Sequence, residues 1–96
     1  METRVELLPT LELCIEGTAR REYLKRADEY MQRDKKDRKL EEKIELLRMF
    51  LETADFRKLR AESEKHLIEG KKVRFILTSA KGKPKYEMKY EVVRPT

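Results

Sequence analysis

Two side chains in this sequence could act together as a nucleophile and its base. They are Cys14 and His66, the single cysteine and the single histidine of the 96 residues. A cysteine nucleophile needs a base within hydrogen-bonding reach. A lone cysteine is more often a small buried hydrophobic residue, however, and a histidine near a helix end interacts favourably with the helix dipole. We therefore expect no catalytic pair, and nothing else in the sequence indicates an enzyme.

The residues that bind metals and cofactors are also scarce. A zinc site takes three or four cysteine or histidine ligands, and this chain has only those two. The glycines, Gly17, Gly70 and Gly82, are too scattered to form a phosphate-binding turn. We expect no metal, no cofactor and, with one cysteine, no internal disulfide.

Positive charge is concentrated near the C-terminus. Residues 71–96 carry eight Lys or Arg and two Asp or Glu, a balance of +6, whereas residues 1–70 carry 16 and 17, a balance of −1; together they give the net charge of +5. Such a segment attracts polyanions. The candidate polyanion-binding residues are Arg57, Lys58, Arg60, Lys72, Arg74, Lys81, Lys83, Lys85 and Lys89.

Length and composition predict one small domain spanning residues 1–96. Charged residues make up 45% of the chain and hydrophobic residues 39%, which indicates a thin core under a charged surface. No signal peptide and no membrane span is recognisable, so the cytoplasm is the expected location. The absence of asparagine and the single glutamine, Gln32, are typical of heat-adapted proteins.

The first segment that must position these residues runs from Leu7 to about Met31. Its apolar side chains recur at steps of three and four, which predicts a helix with Pro9 in its first turn. Thr18, after Gly17, could cap a second helix. Leu11, Leu13 and Ile15 also alternate with polar or small residues, so residues 11–16 are open to either a helix or a strand. The helical stripe comprises Leu11, Ile15, Ala19, Tyr23, Ala27 and Tyr30.

Two further helices are predicted between residues 40 and 70. The second helix has an unusually broad apolar stripe, which indicates cover on more than one flank and favours a homodimer. Asp34 or Asp37 could cap its start, Asp55 the start of the third helix, and Gly70 follows the last turn of that helix. The broad stripe comprises Leu40, Ile44, Leu46, Leu47, Met49, Phe50 and Leu51; the narrower stripe of the third helix comprises Phe56, Leu59, Ser63 and Leu67.

Apolar and polar side chains alternate along residues 71–78 and 85–93, which predicts an antiparallel hairpin. With Lys81 and Gly82 at its tip, Phe75 lies opposite Met88, and Arg74 lies unfavourably opposite Lys89. In the same register, Lys72 lies opposite Glu91 and Leu77 opposite Tyr86. Tyr86 and Tyr90 share a face with Met88 and Val92, so we expect them in the core rather than stacked on nucleic-acid bases.

The predicted fold class is therefore α+β, with about three helices (residues 7–70) followed by a basic C-terminal antiparallel β-hairpin (residues 71–94) packed on them. The favoured function is a non-enzymatic protein-interaction or self-associating module. The alternative is a nucleic-acid binder, because three helices and a basic hairpin form an element order similar to that of a winged helix. In that alternative Arg57, Lys58 and Arg60 open the recognition helix, and Lys81, Lys83 and Lys85 form the tip of the wing. A continuous basic face would favour nucleic acid, whereas interspersed carboxylates would favour a solvated surface.

Overall fold

The computed structural model describes residues 3–32, 37–80 and 86–93. Within them the chain forms β1 (Arg4–Leu7), α1 (Ile15–Gln32), α2 (Arg38–Thr53), α3 (Phe56–Ile68), β2 (Lys72–Ser79) and β3 (Tyr86–Val93). The strands form one antiparallel sheet in the order β1-β2-β3. The α+β class is confirmed, but the order of helices followed by a hairpin is incomplete, since a strand precedes the helices. None of these helices is long and apolar enough to cross a membrane.

The N-terminal segment differs most from expectation. Val5 and Leu7 of β1 are buried, and the strand pairs with β2, Leu7 lying opposite Phe75. Residues 8–14 form an irregular connection and α1 begins at Ile15, so both predictions for residues 11–14, helix and strand, are wrong. Pro9 lies in this connection rather than in a helical turn. A four-residue strand contains only two inward-facing side chains, too few to reveal a period of two.

Gly17 and Thr18 lie inside α1 and do not divide it. A Cβ atom at position 17 would lie 2.7 Å from Cδ1 of Leu13, so glycine leaves the space that the Leu13 side chain occupies. The backbone N–H of Thr18 donates to the Cys14 carbonyl at 2.8 Å, and its hydroxyl donates to the same oxygen at 2.9 Å. Thr18 is therefore a residue of the first helical turns and not the cap of a second helix.

The predicted ends of α2 and α3 are confirmed by their hydrogen bonds. The Asp37 carboxylate accepts from the backbone N–H of Leu40, and that of Asp55 accepts from Lys58, both at 3.3 Å. Gly70 has a φ of +85°, the left-handed conformation that glycine adopts without strain. Asp34, the other candidate cap, lies outside the described residues.

The broad apolar stripe of α2 is covered within the chain. Leu40, Leu46, Leu47 and Phe50 are buried, and the remaining members of the stripe are half-buried. The Phe50 ring meets the Phe56 ring of α3 and the Tyr86 ring of β3 edge-on, at centroid distances of 5.3 and 5.9 Å. Helices and sheet thus cover this helix from several sides, and the stripe no longer argues for a second copy.

The hairpin register is shifted by two residues from the predicted one. Phe75 lies opposite Tyr90 rather than Met88, and Arg74 lies opposite Glu91 rather than Lys89. Lys72 lies opposite Val93, and Leu77 opposite Met88. A shift of two residues leaves every side chain on the same face, so alternation alone cannot detect it. The predicted tip, Lys81 and Gly82, lies outside the described residues.

Candidate interaction surfaces

The candidate polyanion-binding residues do not form one surface in the described part of the chain. Lys81, Lys83 and Lys85 lie outside it. The other six form two groups, one in the first turns of α3 and one on the sheet face that points away from the helices. Because α3 packs against the opposite, buried face of the sheet, the sheet separates the two groups. The first comprises Arg57, Lys58 and Arg60, and the second comprises Lys72, Arg74 and Lys89.

Carboxylates lie among the cations on this outer sheet face. Nη2 of Arg74 lies 2.9 Å from Oε2 of Glu91, and Nη1 lies 3.9 Å from Oε1 of Glu6. Nζ of Lys89 lies 3.4 Å from Oε1 of Glu91. Burial alone would raise the pKa of the Glu91 carboxyl, but hydrogen bonds and charges from Arg74 and Lys89 outweigh it and lower the pKa. The outer face is thus a mixed-charge surface rather than a basic stripe.

One apolar residue, Ile76, lies on this charged face yet is only 6% exposed. Its cross-strand neighbours are Glu6 of β1 and Lys89 of β3. Long charged side chains cover apolar surface with their aliphatic parts while their charged ends reach water. The outer face therefore has a small apolar centre beneath a charged cover.

Cys14 lines a cleft of about 380 Å³ with residues of α3 between Phe56 and Glu64. Its charged lining is mixed, since Arg57 and Arg60 are accompanied by Glu16 and Glu64. Arg60 is already bound to Glu64, with Nε 2.9 Å from the carboxylate oxygen. Cations paired in this way are less available for phosphate than a basic recognition helix requires.

His66 does not line that cleft. Its ring lies near the Tyr90 ring of β3, at a centroid distance of 6.1 Å. Burial is the main cause that raises the pKa of the Tyr90 hydroxyl, and the nearby Glu62 adds to it. The structure therefore places Cys14 and His66 in different surroundings. Within the described ranges, no three His, Cys, Asp or Glu side chains are grouped to hold a metal ion.

A further cleft of about 450 Å³ is lined by residues of β1, α1 and α2. Arg4, Arg26 and Lys43 line it together with Glu6 and Glu22. Nη2 of Arg26 lies 3.0 Å from Oε1 of Glu22, and Nη2 of Arg4 lies 2.7 Å from Oε1 of Glu6. The charges in this cleft are thus largely paired with one another.

An apolar groove of about 320 Å³, which we call the 8–12 groove, lies between the β1–α1 connection and the junction of α3 with β2. Leu8, Pro9 and Leu11 form one wall, and Leu67 and Val73 form the other. Thr10, Glu12 and Lys72 complete the lining. It differs from the two clefts above because apolar side chains dominate its lining.

Local hydrogen bonds hold both walls of the 8–12 groove. In the first wall the Thr10 N–H donates to the Leu13 carbonyl at 2.8 Å, and the Leu13 N–H donates to the Thr10 hydroxyl oxygen at 3.0 Å. In the second, Gly70 N–H donates to the Leu67 carbonyl and Lys71 N–H to the His66 carbonyl, each at 3.0 Å. These turns leave Leu8 and Leu11 more than half exposed, whereas Pro9 and Val73 are buried.

Three large apolar side chains at this end of the molecule are exposed to solvent. Leu8 and Leu11, which line the groove, are each 56% exposed, and Ile68, beside Leu67, is 72% exposed. Sequence reasoning missed this cluster because it assigned Leu11 to the buried face of a helix. Ile68 could have indicated exposed apolar surface here, because it is a large apolar residue outside the predicted apolar face of α3.

Comparison with known proteins gives one match. No curated protein and no solved structure matches the chain. One family model matches residues 1–92, and the match assigns no activity. Because it covers nearly the whole sequence, the chain belongs to the protein family that this model describes.

Proposed function

We propose that this protein is a small, non-enzymatic interaction module that binds a partner protein through the 8–12 groove. The observation that carries the proposal is the exposure of Leu8 and Leu11 in a groove with apolar walls. Clustered apolar side chains at a surface favour association, since covering them removes apolar area from water.

The size and lining of the groove suit part of a protein better than a metabolite. Small-molecule sites occupy about 300–1,000 Å³, enclose most of the ligand and place several polar groups against it. The 8–12 groove, at about 320 Å³, is at the lower end of that range, and two of its lining leucines are more than half exposed. We propose that it holds one or two apolar side chains of a partner segment, as anchor residues are held at protein interfaces.

The distribution of charge is why a protein is proposed rather than a nucleic acid. Glu6 and Glu91 lie among the cations of the outer sheet face, and Glu64 binds Arg60 on α3. A nucleic-acid surface gains most of its affinity from unpaired cations along one face. The mixed arrangement supports a solvated surface beside an apolar binding site.

The test is a selection of peptides from a random peptide library displayed on phage, with the folded chain as bait. Enriched peptides should share an apolar anchor residue and should bind Leu11→Asp at least about tenfold more weakly than wild type. Leu24→Asp is the matched control, because Leu24 is 61% exposed on α1 and does not line the groove. That variant should bind the peptides as wild type does.

Two outcomes would contradict the proposal. One is enriched peptides that bind Leu11→Asp and wild type equally. The other is binding of duplex DNA or RNA with a sequence preference at about 0.15 M salt, which would favour the alternative function. Loss of nucleic-acid binding at that salt concentration, without sequence preference, would leave the protein-binding proposal in place.

A further inference from the structure

The strand β3 has a free edge in the described part of the chain. It is paired with β2 on one side only, since the sheet order is β1-β2-β3. Its eight residues, Tyr86–Val93, include none that is buried, and Met88 is 38% exposed. The opposite edge of the sheet, β1, is only four residues long. An unpaired edge of this length presents backbone N–H and C=O groups to another strand.

The β3 strand of a second copy is the simplest partner for this edge. The sequence of β3 indicates which alignments of the two strands are favourable. In a two-fold antiparallel pair that continues the sheet, inward-facing residues must lie opposite inward-facing residues. The inward residues of β3 are Tyr86, Met88, Tyr90 and Val92, and the outward residues are Glu87, Lys89, Glu91 and Val93. This condition is met only when the two-fold axis passes through a residue position, so that this residue lies opposite the same residue of the partner.

Charge decides among these registers. Centring on Lys89 places two lysines directly opposite each other and Glu87 opposite the partner's Glu91, which is repulsive. Centring on Glu87 or on Glu91 places two carboxylates opposite each other. Centring on Tyr90 instead places Lys89 opposite the partner's Glu91, and symmetry repeats this pair.

The register centred on Tyr90 also uses more of the strand than its nearest competitor. It aligns residues 87–93 with the same residues of the partner, whereas centring on Met88 aligns only residues 86–90 of β3. On the inner face it brings Met88 opposite the partner's Val92 and places the two Tyr90 rings side by side. Tyr90 is already packed on Phe75, with ring centroids 5.0 Å apart, so its ring is positioned before pairing. Cross-strand aromatic and apolar pairs of this kind stabilise sheets.

We propose that two copies pair antiparallel along β3, with the two-fold axis at Tyr90, to form a continuous six-stranded sheet. The dimer is closed, because each copy uses the eight-residue edge of β3 and the outermost strands become the short β1 strands. This surface is distinct from the 8–12 groove, so dimerisation and partner binding can be tested separately.

The experiment uses charge reversal and measures mass by light scattering. Wild type should have twice the monomer mass of 11.6 kDa at micromolar concentration. K89E places two repelling carboxylate pairs at the axis, and E91K places two repelling ammonium pairs, so each variant alone should dissociate with a Kd raised about tenfold or more. An equimolar mixture of K89E and E91K should restore a dimer, because every cross-strand pair is then again opposite in charge.

The control mixture combines K89E with E87K. If the axis is at Tyr90, residue 87 lies opposite the partner's Val93, so E87K alone should dimerise as wild type does and should restore less dimer with K89E than E91K does. If the axis is at Met88, E87K alone should dissociate, because it places like charges opposite each other, and it should dimerise when mixed with K89E. Circular dichroism of each variant confirms that it is folded. Rescue by E87K rather than E91K, or a wild-type protein that stays at 11.6 kDa throughout, would overturn the proposal. Either result leaves peptide binding by the 8–12 groove unaffected.

Discussion

The strands β2 and β3 are neighbours of equal length, eight residues each, and apolar side chains alternate with polar ones in both, except at Ile76 in β2 and Val93 in β3. In β2, Val73, Phe75, Ile76 and Leu77 are buried, whereas β3 has no buried residue. The difference arises from position in the sheet, because β2 has a strand on each side and β3 has one. Alternation thus specifies which way a side chain points, and sheet order decides how completely it is covered.

The largest effect should come from the centre of β2. Phe75→Ala should lower the free energy of unfolding by about 3–5 kcal/mol, because it leaves a cavity in the core. Arg74→Ala, on the adjacent outward position, should cost less than about 1 kcal/mol. Urea denaturation of both variants measures the difference. Equal losses would mean that the two faces of β2 are assigned wrongly.

A cross-strand pair gives a closer test of the same contrast. Leu77 and Met88 lie opposite each other on the inward face, but Leu77 is fully buried and Met88 is 38% exposed. Leu77→Ala should cost about 2–5 kcal/mol, and Met88→Ala less than about 1 kcal/mol, at protein concentrations low enough to keep the chain monomeric. A large loss for Met88→Ala under those conditions would show that β3 is covered within a single copy.

The smallest effect concerns the ion pair that joins the two strands. The pKa of Glu91 is lowered from its ordinary value of 4.5, so its contribution to stability is present above that pH and is lost as the pH falls below it. The difference in melting temperature between wild type and Glu91→Gln should therefore be present at neutral pH and should shrink below about pH 4.5.

Glu87→Gln is the control for this titration, since it removes the neighbouring outward carboxylate of β3. Its melting temperature should stay close to that of wild type at neutral pH, because the described residues place no cation within ion-pair distance of Glu87. A pH-independent difference for Glu91→Gln would show that the carboxylate stabilises β3 by something other than its charge.

Local signals in the sequence predicted much of this fold. Asp55 and Gly70 mark the ends of α3 because each satisfies a backbone requirement within a few residues of itself. The strands of the hairpin could be predicted because the alternation of apolar and polar residues is also a local pattern. Their register could not be predicted in this way. Changing the residue opposite Arg74 from Lys89 to Glu91 leaves every side chain on the same face of the sheet.

Features that depend on contacts between residues far apart in the chain could not be predicted from the sequence pattern. β1 has two inward side chains, Val5 and Leu7, and what makes it a strand is pairing with residues 75–78 of β2. The 8–12 groove follows from that pairing, since the chain must leave the sheet at Leu8 to reach the start of α1. The exposure of Leu8 and Leu11 is thus a tertiary consequence that helical periodicity could not indicate.

The pairing of β1 also determines when the sheet can be completed during folding. Its partners follow it by most of the length of the chain. The Thr3 N–H, for example, donates to the Ser79 hydroxyl oxygen, 76 positions further along. Closing so long a loop carries an entropic cost that only later contacts repay, whereas the helices and the hairpin form from neighbouring residues. During synthesis, β1 therefore leaves the ribosome ahead of everything it binds, and the sheet becomes three-stranded only after both β2 and β3 have emerged.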